Sequence, residues 1–371
     1  RFNAAKECTN LRLVEWSPLK NETFSFTVLM SLFAICVAVT FYLIIGSLVP
    51  IAALSSLISG ESISETGLAY SASRKDIHYG SEGNYYGAGY FSQFTNTLLP
   101  LSFLIFAFLS KGSKSKFLKL YTFVILIFAV LAMTGTGRRS VVMGFLFFMI
   151  LWTNWKVLGD RTASPSTKIS IVLSAILIMG LMTTLMARSV ESSSVIGNTL
   201  YGIWFMIERV LLYPPAQEME SFKIFLASKE PNNGLGWLLQ LNDILPGHRP
   251  GLAQEMHSML GGSEYGSAGF GQYGEKFYNF GWYGATIISF VWGVIIHTFQ
   301  IIVVRYKNKD LNWIVLCFSA YLLGMAASPI DLFNQGFITC MIFLFSFYYF
   351  KKIYMLLPKK SQIKTPDLLV E

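Results

Sequence analysis

Charge is what this sequence holds least of. Asp, Glu, Lys and Arg make up only 13% of its 371 residues while 53% are hydrophobic, against roughly 25% charged residues in ordinary soluble domains. That stock is too poor to cover a water-facing surface, which excludes a soluble globular enzyme and leaves a membrane protein. Cysteine is scarce too. Cys8, Cys36, Cys317 and Cys340 show no paired or metal-type spacing, so neither a disulfide framework nor a zinc site is expected. The last three fall in apolar runs, where a thiol behaves as a small hydrophobe. No Asp-x-Asp and no carboxylate-rich cluster of the kind that holds a divalent cation occurs in the chain, so metal-independent chemistry without any cofactor is expected.

What the sequence has in plenty is long apolar runs. Crossing a hydrocarbon core of ~30 Å takes about 20 apolar residues in a helix, and eight stretches of that order recur: 24–45, 90–109, 120–134, 141–155, 169–187, 277–304, 311–330 and 332–350. The fold expected is therefore an all-α polytopic membrane protein, with 1–371 a single integral membrane domain and 188–276 a large outer loop carrying short helices. The polar start at Arg1, with Lys6, Arg12 and Lys20 and no signal peptide, reads as a cytoplasmic segment preceded by further spans, so N-terminal truncation is expected.

Lysine and arginine in the short connections set the orientation. Lys111, Lys114, Lys116 and Lys119 share one connection without an acid, which places it in the cytoplasm. Alternation then puts Lys156, Arg161 and Lys168 inside, with Arg305, Lys307, Lys309 and the basic C-terminus, while 61–82 and 188–276, both richer in acids than bases, fall outside. Both ends of the chain are thus expected on the cytoplasmic side of the membrane. The net charge of +8 is a topology signal and carries no nucleic-acid meaning.

One turn runs against this bias. Arg138 and Arg139 lie between the charge-free runs 120–137 and 140–155, on the outer side. Each run is shorter than the ~20 residues of a comfortable span, so the turn is drawn close to headgroup depth. Snorkelling to lipid phosphates is the plainer explanation. The sharper one is that two planar guanidinium forks anchor a pyrophosphate. Arg188, Arg209 and Arg249 lie on the same side and are weaker candidates for the same anion, each otherwise a helix-end or loop charge.

The outer stretch 188–276 is too long for a structureless connection. Residues 195–213 form an apolar run interrupted by Glu208 and Arg209 and ended by Pro214-Pro215, the pattern of a helix lying in the interface. Glycine and aromatics dominate 261–275, which suits close approach of a backbone to a sugar ring and suits a flexible tether equally. His248 and His257 lie in this stretch and qualify as general bases near neutral pH, although each fits a plain loop histidine as well. His297, deep in the sixth run, reads as a packing or hydrogen-bonding residue. Glu275 opens the sixth run at its outer mouth. It is a candidate base, or the carboxylate that orients one, and the helix dipole alone would also favour an acid there.

Taken in order, Thr134-Gly-Thr-Gly-Arg138-Arg139-Ser140, Leu245-Pro246-Gly-His248-Arg249-Pro250 and Gly274-Glu275-Lys-Phe-Tyr-Asn279-Phe280-Gly281-Trp-Tyr-Gly284 resemble the outer segments of the Wzy-type polymerases that join O-antigen or capsule repeat units. The resemblance covers most of the chain from about residue 90. The chain departs from the family in having fewer spans and in lacking a single histidine that the motif fixes as the base. The resemblance implies a metal-independent, inverting glycosyltransferase. Its donor is a growing glycan on undecaprenyl pyrophosphate and its acceptor a lipid-linked repeat unit, with a chain-length regulator and a flippase of the same pathway as partners. Arg138 and Arg139, with Arg188, Arg209 and Arg249, would then hold the pyrophosphate. His257 is the favoured base with Glu275 orienting it, and His248 and Glu275 itself are the alternatives. An O-antigen ligase would share these residues and differ in its acceptor. A flippase or other transporter of lipid-linked sugars would also gather arginines, but it would carry more polar residues inside its spans than these runs show.

Overall fold

The computed structural model describes residues 21–45, 91, 93–112, 114–135, 204, 216, 218–219, 222–223, 231–239, 241, 258, 272–306, 310–326 and 328–356. Among the described residues every regular element is helical. They are α1 (Asn21–Ile45), a π-helical turn (Phe94–Leu98) running into α2 (Leu99–Gly112), α3 (Lys116–Gly135), α4 (Leu235–Leu239), α5 (Gln272–Arg305), α6 (Leu311–Met325), α7 (Asp331–Asn334) and α8 (Phe337–Leu356). Three helical stretches, Thr23–Leu43, Tyr273–Arg305 and Phe337–Leu356, are long and apolar enough to cross a membrane. The fourth and fifth runs, 141–155 and 169–187, and most of the stretch 188–276 lie outside the described residues.

Between helices in hydrocarbon the apolar side chains gain little from leaving lipid, so packing and hydrogen bonds hold the bundle. At the centre stands α6, which buries Leu311, Trp313, Ile314, Val315, Phe318, Ser319, Leu322 and Leu323. Its start is fixed by Asp310, whose carboxylate accepts the Trp313 N–H at 3.1 Å, an N-cap of the ordinary kind. Two indoles stitch it antiparallel to α5: Trp313 Nε1 donates to the Val303 carbonyl at 3.2 Å and Trp292 Nε1 to the Ala326 carbonyl at 2.8 Å. The polar groups of α1 are satisfied locally. Thr27 Oγ1 donates to the Thr23 carbonyl, and Ser31 Oγ bonds both the Val28 carbonyl and the Tyr121 hydroxyl of α3.

Ring contacts and hydrogen bonds between the helices show which of their ends lie together. Phe26, early in α1, packs its ring 5.1 to 5.3 Å from Phe343, Phe347 and Phe350, spread along the middle of α8 and ending next to Lys351. Phe41, late in α1, stacks on Phe91 at 4.3 Å. Thr122 of α3 donates to the Phe106 carbonyl of α2. The start of α1, the α2–α3 connection with Lys114, Lys116 and Lys119, Arg305 at the end of α5, and Lys351 and Lys352 near the end of α8 therefore share one end of the bundle. The positive-inside bias expects that end in the cytoplasm. A cysteine at Ser263 should accordingly react with an impermeant thiol reagent in intact cells while one at Ser113 is protected, and the reverse pattern would invert the topology.

Three of the expected runs have different limits. The sixth is broken at Gly281, whose φ of 67° and ψ of −170° are non-helical. Residues 272–280 therefore form a separate short helix, and 282–305, about 36 Å of helix at ~1.5 Å per residue, is the part that spans. The seventh run ends at Met325, and the eighth begins at Phe337. The residues between are a turn with α7 inside it, because Pro329 and Gly336 delimit a segment that bonds to itself: the Phe333 and Asn334 N–H groups donate to Ile330, and Gln335 N–H to Asp331. The second run is more polar within than its lack of charge indicates. Its π turn buries Thr95, Asn96 and Thr97.

Candidate functional site

The end of the bundle opposite the lysines is polar. Its centre is the helix 272–280, which Gly281 turns away from the spanning part of α5. A left-handed φ is costly for any residue with a Cβ, so the kink needs a glycine there.

Two pieces of the long stretch 188–276 pack on this helix. From 218–223, Glu218 accepts the Gly274 N–H at 2.8 Å, capping one of the open amides of the first turn. Phe222 lies edge-on to Phe277 at 4.5 Å and stacks on Trp282 at 5.9 Å. From 231–239, the Asn232 N–H donates to the Tyr278 carbonyl and the Gly234 N–H to the Asn279 carbonyl. Trp237 packs edge-on to Phe280 at 4.9 Å. The Asn279 side chain ties the second piece to the helix: its Nδ2 donates to the Glu275 carbonyl one turn back at 2.9 Å, and its Oδ1 accepts the Trp237 N–H at 3.2 Å.

Charge is buried beneath this cover. Glu275 is 4% exposed, Lys276 2% and Asn279 0%. An ammonium out of water costs several kcal/mol, and burial holds Lys276 below the usual lysine range, while the charges of Glu275 and of Asp331 in α7 pull the other way. Asp331 is itself set in place by its N–H, which donates to Oγ of the fully buried Ser328 at 3.1 Å. The same turn reaches the π-helical segment: Gly336 presses on Thr97, and Thr339 Oγ1 donates to Gln93 Oε1 at 2.6 Å. Single π turns inside α-helices are frequent at functional sites, and here one lies on the segment that carries Asp331.

Of the candidate site residues singled out in the sequence, Glu275 is the one described, and it is buried rather than set at an open mouth. Arg138, Arg139, Arg188, Arg209, Arg249, His248 and His257 lie outside the described residues. Sequence reasoning missed Lys276, Asn279 and Asp331. Lys276 falls at the end of the stretch 188–276 and Asp331 between the seventh and eighth runs, so neither stood out. A signal was available, since Asp331 is the lone charge between Leu311 and Phe350, and an ionisable residue in such a stretch marks a functional position by default.

Asn279 is a test of the packed cover. Asn279→Ala removes the side-chain hydrogen bond to 231–239 and the one within the helix that orients it, about 1 kcal/mol apiece, and should raise the rate of proteolytic cleavage within 231–239 severalfold while the melting temperature of the bundle changes little. Unaltered cleavage would mean that 231–239 is held by its other contacts. No protein-family model, curated protein or solved structure matches the chain.

Proposed function

We propose that the chain is a polysaccharide polymerase of the Wzy type, working at the outer face of the bacterial cytoplasmic membrane. It transfers a growing glycan from undecaprenyl pyrophosphate to a lipid-linked repeat unit. The observation that carries this reading is the packing of outer-stretch residues onto the helix that holds Glu275. A tether would leave that helix uncovered, whereas a transferase needs its long outer stretch built into the site.

The chemistry is a single displacement. The acceptor hydroxyl oxygen forms a bond to the anomeric carbon, the bond from that carbon to the pyrophosphate oxygen breaks, and the configuration inverts. Arg138 and Arg139, aided by Arg188, Arg209 and Arg249, stabilise the charge of the departing pyrophosphate in the role a divalent ion has elsewhere. A base takes the hydroxyl proton. Burial among charges favours Glu275 for that role, with His257 and His248 as the alternatives.

The buried charge also suits a transporter of lipid-linked sugars, and a ligase would differ only in its acceptor. Purified protein supplied with a polyprenyl-pyrophosphate-linked repeat unit decides among them. A polymerase converts it to a ladder of multiples. Movement of the unit across vesicles without a new glycosidic bond would establish a transporter, and transfer only to a different acceptor would establish a ligase.

A further inference from the structure

We propose that helix 272–280, together with the segment 231–239 docked on it, is a lid that swings about Gly281 and is latched to the spanning part of α5 through Tyr273. What the opening admits rests on the polymerase reading. The opening itself rests on backbone and packing alone.

The lid is folded back on the span. Tyr273 and Thr286 are 13 positions apart, and in an unbroken helix that separation would be about 20 Å along the axis, far beyond the reach of a phenol. Yet the Tyr273 hydroxyl lies 3.2 Å from Thr286 Oγ1. Thr286 gives its own proton to the Trp282 carbonyl at 2.9 Å, so the phenol is the donor and the threonine the acceptor. Two glycines permit this fold-back. Gly281 holds φ at 67° and ψ at −170°, a combination almost reserved for glycine. Gly284 leaves room for Phe280, since a Cβ there would overlap that of Phe280.

Three observations point to a moving part rather than a fixed bend. The first is that the apolar packing of the lid is its own. Phe277, Tyr278 and Ala285, with Phe222, Leu239 and Tyr273, form a cluster that shares no side chain with the clusters that pack the rest of the described bundle together. The second is how each joint is made. Segment 231–239 is fastened to the lid by the Asn232 and Gly234 amides, so the two travel together. Towards the span, by contrast, the lid is held by an exposed hydrogen bond and by rings gathered on Trp282, which is itself 55% exposed. Phe277 lies edge-on to that indole at 4.4 Å, and Phe222 sits over the joint against both. The third is burial. Glu275 and Lys276 are almost wholly enclosed, so a substrate can touch them only after something has moved, and the helix that carries them is the part with a joint at its end. In the polymerase the open lid admits the acceptor unit, and the closed lid keeps water from the displacement.

Tying the lid down tests the role. In a chain freed of its own cysteines by alanine, Tyr273→Cys and Thr286→Cys can be joined by a short, reducible bifunctional thiol reagent. Chain extension by the purified tied protein should fall at least about tenfold, as for a gating step that is blocked, and should return when the link is reduced. Full activity of the tied protein would overturn the lid.

Hydrogen exchange reads the opening without any activity. Tyr273→Phe should speed exchange in peptides from 272–280 and from 231–239 by a common factor of roughly two to ten, the effect of one lost hydrogen bond on an opening equilibrium. Peptides from 287–300 should be unchanged. Gly284→Ala, which wedges Phe280 away, should give the same pattern more strongly. Unaltered exchange in both variants, or a rise that spreads through 287–300, would establish a fixed bend, and different factors for the two segments would rule out their joint movement. If the untied chain extends no polymer, the polymerase reading fails, and exchange still decides whether the lid opens.

Discussion

Cells that carry Arg139→Ala at normal protein level should make almost no long polymer. A guanidinium aimed at the departing pyrophosphate stabilises charge that grows as the anomeric bond breaks, and removing one such donor set costs about 2–4 kcal/mol of transition-state stabilisation, on the order of a hundredfold or more in rate. Arg139→Lys keeps the charge and loses the fork that grips two oxygens at once, so it should remain strongly impaired. Arg138→Ala should behave like Arg139→Ala, and the pair together should be worse by less than the product of the single effects, because the two act on one anion. Gel analysis of chain lengths, with the protein quantified in the same membranes, gives the readout. Wild-type polymer in both alanine variants would leave lipid phosphate as the partner of these side chains and remove the pyrophosphate site from the mechanism.

The second large effect expected is on stability, at Gly336. Its φ of 85° lies in the left-handed region, which costs a residue with a Cβ about 1–2 kcal/mol. The Cβ would also point at Thr97, overlapping its Oγ1 and coming within 2.8 Å of both its Cβ and Cγ2. Thr97 is buried in the π turn and has nowhere to withdraw, so an overpacking cost of about 1–3 kcal/mol is added. Gly336→Ala should lower the melting temperature in detergent by several degrees. Thr97→Ala in the same chain should restore part of the loss and not all of it, since the Thr97 Cβ remains in the way. An unchanged melting temperature for Gly336→Ala would mean that the turn and the π segment separate freely.

The spans that sequence reading placed best are those whose ends carry charge. Asp310 is both the last charge before an apolar run and the N-cap of α6, so its run begins where the helix does. Where a boundary depends on backbone torsion instead, hydropathy passes over it. Gly281 sits inside an apolar stretch and looks like any glycine in a helix, yet its φ separates Glu275 and Lys276 from the spanning segment. Asp331 was visible as a charge, but which charge it faces is a fact of tertiary packing across two helices. The docking of Asn232, Gly234 and Trp237 rests on backbone hydrogen bonds to Tyr278 and Asn279, which a density of glycine and proline leaves open between a packed cover and a tether.

The π turn Phe94–Leu98 also sets the register of this bundle end. A π turn is an α-helix holding one residue more than its length needs, and each residue in a helix rotates the chain by about 100°. The residues it holds, Thr95, Asn96 and Thr97, are buried, as are Leu99, Leu101 and Leu104 after it. Deleting one residue from the turn would restore regular winding and swing Gln93 by about a quarter of a revolution, away from Thr339. The contact between Gln93 and Thr339 thus depends on that one surplus residue.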